Sequence, residues 1–432
     1  MPVPKKGDRL LCSNYRTIAL VSHASKVLLK VILGRIHKKM ETEIACEQAG
    51  FRSGRGTRDH IMNLRILMQK ARDHNQPLYM CFIDYHKAFD CIKHGELWLN
   101  MLEMGFPPHL VQLLRNLYQG QKAAVRIAGA VTEWFRVYKG VRQGCVLSPY
   151  LFNIVAEMVM REALSNFNGG MRIGGRLINN LRYADDTVLI ATSVEDLQEL
   201  LNRITTSGRR FGLLLNKGKT KVMATDGTVL DIRADGELLE QVDSFTYLGA
   251  IITANGDCGA DIKARIGLAK NVLSKLTVIW NNNSITKSTK IRLLRALVWP
   301  VATYGAEAWT YRKEEWKRWL AFETTGYRRV MRIPWEAKQT NDEVLQEAGG
   351  RQLPGMLVKR KLQYFGHLMR KTADNLEKDI ITGNRRRRRP PIWIYDITDW
   401  TDLSTNKVLQ KVWDRECCRD IVHRAAKVRN DE

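Results

Sequence analysis

The chain has 432 residues, and 69 lysines and arginines against 45 acids give it a formal net charge of +24. A hydrophobic share of 44% excludes a disordered chain, and no apolar run approaches the roughly 18 residues that a membrane helix needs. The start, MPVPKKGDRLL, lacks the apolar core of a secretion signal, and the eight cysteines form no CxxC pair. We therefore expect an intracellular protein with a polyanionic partner. The charge favours nucleic acid as this partner, and an anionic membrane surface is the second choice.

The first 250 residues alternate between helix-like and strand-like patterns. Apolar residues at helical spacing predict helices over residues 25–40, 96–104 and 149–164. The short apolar run over 78–84 predicts a buried strand that ends in Asp84. Residues 181–192 are apolar on both sides of Asp185 and Asp186, which predicts a hairpin with these acids at its turn. Residues 228–242 predict a second hairpin that turns at Asp235 and Gly236.

The composition changes after about residue 255. Helical patterns dominate from there, and eight of the eleven tryptophans lie beyond residue 281. Residues 383–391, GNRRRRRPP, have the charge and the prolines of a linker. We therefore divide the chain into 1–254, a separate helical region over 255–383, an Arg/Pro linker over 384–391 and a small helical tail over 392–432.

Three carboxylates stand at the ends of predicted strands, where acids are costly unless something compensates their charge. Asp84 ends one strand, and Asp185 and Asp186 lie about a hundred residues later in the turn of the hairpin. A divalent cation would compensate them, since hard oxygen ligands suit Mg²⁺, and two such ions can serve an in-line phosphoryl transfer. The alternative for an isolated Asp-Asp pair is an ordinary turn with exposed acids.

The surrounding motifs resemble those of the reverse transcriptases of non-LTR (LINE-type) retrotransposons, in the same order over about 250 residues. FIDYHKAFD (82–90) resembles polymerase motif A, GVRQGCVLSP (140–149) motif B and YADD (183–186) motif C. GLLLNKGKT (212–220) resembles motif D, and FTYLG (245–249) resembles the primer-grip motif E. PKKGD (4–8), NYR (14–16) and QAGFRSGRG (48–56) resemble the fingers motifs, and the region beyond residue 255 resembles the thumb less specifically.

This resemblance implies an α+β right-hand polymerase, with fingers, a palm on an antiparallel sheet, a helical thumb and a helical C-terminal region. It also implies that Asp84, Asp185 and Asp186 hold two Mg²⁺ ions, with Mn²⁺ as a substitute. Lys219 is the implied general acid for pyrophosphate departure, although Lys217 and Lys221 are similar cations in the same run.

The resemblance further implies a set of substrate contacts. Arg16, helped by Lys5 or Lys6, would bind the triphosphate, Phe89 would exclude a ribose 2′-hydroxyl, and Gln143 and Gly144 would lie under the nascent base pair. Template or primer contacts would come from Arg52, Arg55, Tyr247, Leu248 and Gly249. The alternatives are solvated surface cations for Arg16, Lys5 and Lys6, a core aromatic for Phe89, and a helix-start turn for Gln143 and Gly144. For the two fingers arginines, template contact and a structural role stay open.

Two basic segments lie beyond the polymerase motifs. KRKLQYFGHLMRK (359–371) interleaves five cations with Tyr364 and Phe365, which suits base stacking or, alternatively, an amphipathic helix with both rings packed inward. The five consecutive arginines from Arg385 to Arg389 suit nuclear import, RNA contact or a solvated linker.

The expected function is RNA-directed DNA synthesis: addition of dNTPs to a DNA primer on an RNA template, in target-primed copying of element RNA. The partners would be RNA, the primer and the RNA–DNA hybrid, with no membrane. The protein would be located in the nucleus and the cytoplasm.

Because the chain starts at the first fingers motif, we expect no endonuclease domain and a truncated element protein. The first alternative is a catalytically idle relic that binds RNA or RNA–DNA hybrid; the second is another class, an intron-encoded maturase or a telomerase-like enzyme.

Overall fold

The computed structural model describes residues 1–5, 7–127, 129–371, 375–383 and 392–431. Lys6, the predicted linker over 384–391 and its arginine run therefore lie outside the described residues.

The first 250 residues contain seven helices among the described residues, and they carry the three helices expected from the sequence. They are α1 (His23–Glu43), α2 (Thr57–Asp73), α3 (Ala88–Cys91), α4 (His94–Glu103), α5 (Pro108–Tyr118), α6 (Ser148–Leu164) and α7 (Val194–Phe211). Helix α6 begins with Pro149 in its first turn, where the missing N–H of proline would have no partner in any case.

The strands are short and form one central sheet with several two-stranded ribbons. They are β1 (Pro2–Pro4), β2 (Tyr15–Thr17), β3 (Tyr79–Ile83), β4 (Lys122–Ala123), β5 (Arg126–Ile127), β6 (Ala130–Val131), β7 (Phe135–Arg136), β8 (Met171–Ile173), β9 (Arg176–Ile178), β10 (Asn180–Tyr183), β11 (Asp186–Ala191), β12 (Lys221–Ala224), β13 (Arg233–Ala234), β14 (Glu237–Leu238), β15 (Glu240–Gln241), β16 (Ser244–Tyr247) and β17 (Ala250–Thr253). Both predicted hairpins are confirmed, as β10–β11 and as the shorter β13–β14.

The central sheet has the order β10-β11-β3-β12-β15 and forms the palm. All pairs in it are antiparallel except β12 with β15. Strand β3 is buried over its whole length, as its continuous apolar run predicted. Because successive side chains of a strand point to opposite faces, Cys81 and Ile83 join one hydrophobic core while Met80 and Phe82 join another.

The helical region begins at Gly259. It contains α8 (Gly259–Lys275), α9 (Thr277–Asn281), α10 (Lys287–Leu293), α11 (Trp299–Ala302), α12 (Lys313–Met331), α13 (Asn341–Glu347), α14 (Leu353–Met369), α15 (Leu376–Thr382), α16 (Ile392–Thr401), α17 (Thr405–Lys411) and α18 (Arg415–Asp431). A π-helical turn, Leu294–Val298, comes just before Pro300 and interrupts the helical pattern of this region.

The helical region is not separate from the palm as a whole, which corrects the expectation from composition. Buried residues between Cys258 and Leu357 form a thumb core of their own. Residues from Val358 onward instead share a core with the palm face that carries Met80 and Phe82. Helix α2 contributes its apolar residues to this shared core and is buried from Asp59 to Ala71.

Tyr364 and Phe365 belong to this shared core, with exposures of 2% and 1%. The hydroxyl of Tyr364 donates to Asp59 Oδ1 of α2 at 2.6 Å. The amphipathic-helix interpretation of residues 359–371 is therefore confirmed, and base stacking by the two rings is wrong. In the described part of the chain, no helix has the length and apolar character needed to cross a membrane.

Candidate active site

The three acids predicted from the sequence meet at one end of the palm sheet. Asp84 follows the last residue of β3, and Ala184 and Asp185 form the two-residue turn between β10 and β11. Thr187 of β11 pairs with Ile83 of β3 in antiparallel register. One step further along this ladder places Asp186 beside Asp84.

The turn that carries Asp185 is held from the side by a segment of the fingers. Ala184 has φ +59°, a left-handed conformation that is costly for a residue with a Cβ. The fully buried side chain of Gln48 accepts hydrogen bonds from the N–H groups of Gly50 and Ala184, both at 2.8 Å. Its Nε2 donates to the carbonyl of Ala184 at 3.3 Å. A Cβ on Gly50 would lie 2.2 Å from the nitrogen of Ala184, so only glycine allows this approach.

The electrostatics of the site disfavour three ionised carboxylates. Withdrawal from water raises the pKa of Asp186 to about 6, and the charges of Asp185 and Asp84 add to the shift, although the side chain keeps an exposed edge. Burial also raises the pKa of Asp185, and Asp84 adds to it. The positive charge of Arg16 acts in the opposite direction on Asp185, which places Arg16 within electrostatic reach of the acids.

The loop after α7 docks onto the end of β3 and faces Asp84. Asn216 donates from its backbone N–H to the carbonyl of Asp84 at 2.8 Å and from Nδ2 to Oδ2 at 2.9 Å. Lys219 Nζ lies 3.8 Å from the same Oδ2. Its neighbours are engaged elsewhere, Lys217 with Glu237 at 3.0 Å and Lys221 with Glu240 at 2.5 Å. Of the three lysines, the structure therefore brings Lys219 to the acids.

The donor set of this site suits a divalent cation. Three carboxylates, two of them with raised pKa, face one partly exposed lysine, so added positive charge would stabilise their ionised forms. Within the ranges that the structure describes, no three acidic, histidine or cysteine side chains already surround one point as metal ligands. One carboxylate oxygen of Asp84, Oδ2, accepts a hydrogen bond from Asn216 Nδ2.

Phe89, the predicted sugar gate, is half-buried and takes part in core packing. Its ring stacks on Phe152 with the centroids 4.7 Å apart and meets Phe51 edge-on at 6.4 Å. Gln143 donates from Nε2 to Asp90 Oδ1 at 3.2 Å. Gly144 has φ +90°, and a Cβ there would approach Ile18 to 3.3 Å.

The fingers cations divide into exposed and buried ones. Arg16 in β2 and Lys5 are exposed, and the charge of Lys5 acts on Asp90. Arg52 is 9% exposed, and it donates to Glu41 at 2.9 Å and to the carbonyls of Ile44, Ala45 and Gln48 at 2.7–3.3 Å. These contacts favour a structural role for Arg52 over template contact.

Arg55 and the primer-grip residues meet the thumb. Arg55 donates to the carbonyl of Cys46 and lines a cavity of about 500 Å³ together with Tyr304. The turn Leu248-Gly249 has φ +47° and +81°, and Tyr304 donates from its hydroxyl to the carbonyl of Leu248 at 2.9 Å. Tyr247 is buried, with its hydroxyl unpaired among the described residues, so it packs under the turn.

Residues 3–252 match the family model described as "Reverse transcriptase (RNA-dependent DNA polymerase)". The chain belongs to the reverse transcriptase family. Members of this family use divalent metal ions, in agreement with the donor set above.

The relatives confirm the resemblance to polymerases of non-LTR retrotransposons. The chain is 27% identical over 266 residues to the Pol polyprotein of the type-2 retrotransposable element R2DM of Drosophila melanogaster, covering 59% of this chain and 25% of that protein. It is 24% identical over 310 residues to the RNA-directed DNA polymerase from mobile element jockey of Drosophila funebris, covering 69% of this chain and 34% of that protein. The chain thus spans about a quarter to a third of these relatives.

Among solved structures, the chain is similar to telomerase from Candida tropicalis in complex with a TWJ fragment of telomeric RNA. The sequence identity is 12%, the match covers 84% of this chain and 57% of that chain, and the TM-score is 0.39. The right-hand polymerase fold class is confirmed by the family match over residues 3–252 and by the central palm sheet.

Three residues of this reverse transcriptase site received no role from the sequence. Gln48 and Asn216 lie inside the fingers motif and motif D, and that placement was the available signal for them. Tyr304 lies in the thumb, 56 positions from the carbonyl of Leu248 that it contacts, and nothing in its local sequence marks it.

Proposed function

We propose that this chain is the polymerase part of a non-LTR retrotransposon protein and adds dNTPs to a DNA primer on an RNA template. The observation that carries the proposal is the meeting of Asp84, Asp185 and Asp186 at the ends of two paired strands. Carboxylates in this position suit nucleotidyl transfer because they can hold the cations that phosphoryl transfer needs.

We propose Mg²⁺ as the divalent ion, bound as two ions by Asp84 and Asp185 with Asp186 in support; Mn²⁺ would substitute. When bound, the ions would lower the pKa of the primer 3′-hydroxyl and neutralise charge on the transferring phosphate. The raised pKa values of Asp185 and Asp186 support this assignment, since a cation would restore their ionised forms.

The remaining residues would bind and orient the substrates. Arg16 and Lys5 are exposed cations suited to a triphosphate, and Phe89 would face the sugar. Gln143 and Gly144 would support the new base pair. Lys219 would pass a proton to the departing pyrophosphate.

The primer and the template would lie against the fingers and the thumb. The turn at Leu248 and Gly249, supported from below by Tyr247, would hold the primer strand. Arg55 would contact the template backbone, since its guanidinium reaches the cavity beside Tyr304. The nucleic-acid partners would then be the RNA template, the DNA primer and their hybrid, in target-primed copying that would take place in the nucleus.

Primer extension on poly(rA)/oligo(dT) tests the proposal. Wild type should extend the primer with dTTP and Mg²⁺, and Asp185→Asn should lose the extension while keeping its unfolding transition. The matched control is Asp342→Asn, an exposed acid of α13, which should extend like wild type. No Mg²⁺-dependent extension by folded wild-type protein would contradict the proposal and favour a catalytically idle, RNA-binding relic.

A further inference from the structure

A large basic groove lies away from the acids, between α14, α18 and the thumb. It encloses about 1480 Å³, more than the roughly 300–1,000 Å³ of an ordinary small-molecule pocket. Lys359, Arg370 and Lys371 line it from α14 and the residues after it, and Arg415, Arg419 and Lys427 line it from α18. Arg295 and Arg351 close its thumb side. Among the described residues that line the groove, none is an aspartate or a glutamate.

The helical spacing sorts the charges of α18 by face. Lining residues recur at 415, 418, 419, 422, 423, 426 and 427, in steps of three or four along the helix, so they share one side of it. Glu416 and Asp420 belong to the same helix and stay outside the lining. The groove therefore takes in Arg415, Arg419 and Lys427 of α18 and neither of these acids, while Arg424 also lies outside its lining.

Several of these cations lack a carboxylate partner. Arg351, Lys359, Arg415, Arg419 and Lys427 form no ion pair within 4 Å in the described part of the chain. Lys371 is the exception, at 3.8 Å from Asp59 and 3.6 Å from Glu377. Gathering like charges without counter-charges raises the local potential, and this favours a polyanionic occupant.

The basic groove continues toward the polymerase site. His367 of α14 lines the groove and also the smaller cavity beside Arg55 and Tyr304. The hydroxyl of Tyr304 in turn contacts the turn at Leu248. A strand that leaves the polymerase site along Arg55 would therefore meet the groove within the same chain.

We propose that the basic groove binds single-stranded RNA outside the polymerase site. Helices α14 and α18 pack directly against each other, so their cations stand side by side along the groove and can follow the phosphates of one strand. Gln352, Gln363 and His423 stand among the cations and can exchange hydrogen bonds with ribose 2′-hydroxyls, which DNA lacks. The identification of the bound strand as the template of this polymerase rests on the proposed function. The binding of RNA by the groove does not depend on that function.

Fluorescence anisotropy with a labelled, unstructured 30-nucleotide RNA tests the proposal on the full chain, without dNTPs. The groove variant carries Lys359→Gln, Arg419→Gln and Lys427→Gln. The matched control carries Lys313→Gln, Lys317→Gln and Lys407→Gln, three exposed lysines that lie outside the groove. Both variants lose the same charge.

The groove variant should raise the Kd about tenfold at moderate salt and reduce the slope of log Kd against log salt by roughly 2, while the control stays within about twofold of wild type. Equal Kd values for groove and control variants would overturn the proposal. Arg419→Gln alone, expected to remove about a third of the slope change, keeps the test valid if the triple variant does not fold.

Two further measurements separate the outcomes. Single-stranded DNA of the same sequence should bind more weakly than RNA; equal affinity, with an equal loss in the groove variant, would overturn the assignment to RNA. Extension on a template too short to leave the polymerase site should be the same for groove variant and wild type. Absence of extension in both would contradict the proposed function and leave the binding comparison intact.

Discussion

The side chain of Gln48 pairs with both backbone polar groups of Ala184, at the centre of the turn that presents Asp185. The two residues are 136 positions apart, so the fingers segment fixes the backbone of the turn before Asp185 through one buried amide. The left-handed φ of Ala184 is maintained by this contact together with the close approach of Gly50.

Replacing this amide should cost both stability and activity. Gln48→Met keeps the length of the side chain but leaves the N–H groups of Gly50 and Ala184 buried without a partner. We expect the free energy of unfolding to fall by about 2–6 kcal/mol, at roughly 1–3 kcal/mol for each of the two unpaired groups, as measured by urea denaturation. Gln112→Met on the exposed side of α5 is the control, with an expected change within about 0.5 kcal/mol. An equal effect of both substitutions would contradict the role of Gln48.

The raised pKa of Asp186, about 6, makes stability depend on pH. Between about pH 4 and pH 6 the folded chain holds a proton on Asp186 that the unfolded chain has released. The free energy of unfolding should therefore fall as pH rises through this window, by roughly 1 kcal/mol, since partial exposure reduces the effect. Asp186→Asn should remove this slope in urea titrations at several pH values, and an unchanged slope would contradict the assignment.

A bound divalent ion should offset the cost of ionising Asp185 and Asp186. Mg²⁺ would favour the ionised carboxylates, so it should raise the unfolding midpoint at pH 7.5 more than at pH 5, where protonation competes with binding. Asp342→Asn should respond to Mg²⁺ as wild type does, whereas Asp185→Asn should lose the response.

Lys219 and Lys217 form a matched pair for the proposed proton transfer. Lys219 lies beside Asp84, whereas Lys217 is paired with Glu237. Lys219→Gln should lower the single-turnover rate of nucleotide incorporation by roughly a hundredfold. Lys217→Gln, with the same loss of charge in the same loop, should stay within about twofold. Similar rates for the two variants would show that general positive charge, and not Lys219 itself, is what the reaction uses.

Phe89 should have a role in sugar selection that its packing partner lacks. Phe89→Val should raise ribonucleotide incorporation relative to dNTPs by roughly tenfold or more. The substitution should also lower stability by about 2–3 kcal/mol, because the stacked contact with Phe152 is lost. Phe152→Leu should lower stability while leaving sugar discrimination unchanged. A parallel change in discrimination for both variants would assign Phe89 to the core alone.

The sequence by itself determined the family, three of the palm strands (β3, β10 and β11) and the three acids, because the signals for them lie in short local segments. A continuous apolar run predicts β3, and apolar residues on both sides of Asp185 and Asp186 predict the hairpin that carries them. The order of the motifs then indicated that Asp84 belongs to the same site as Asp185 and Asp186.

Only the tertiary structure decided which of several similar residues contacts what. It brought Lys219 to Asp84, buried Arg52 among carbonyls and turned Tyr364 and Phe365 into a core shared with the palm. It also placed Gln48 against the turn at Ala184 and Tyr304 against the turn at Leu248, both far away in sequence. Finally, it brought cations of α14 and α18 together in one groove. The physical reason is that burial and pairing depend on contacts between distant segments, which local spacing and composition do not encode.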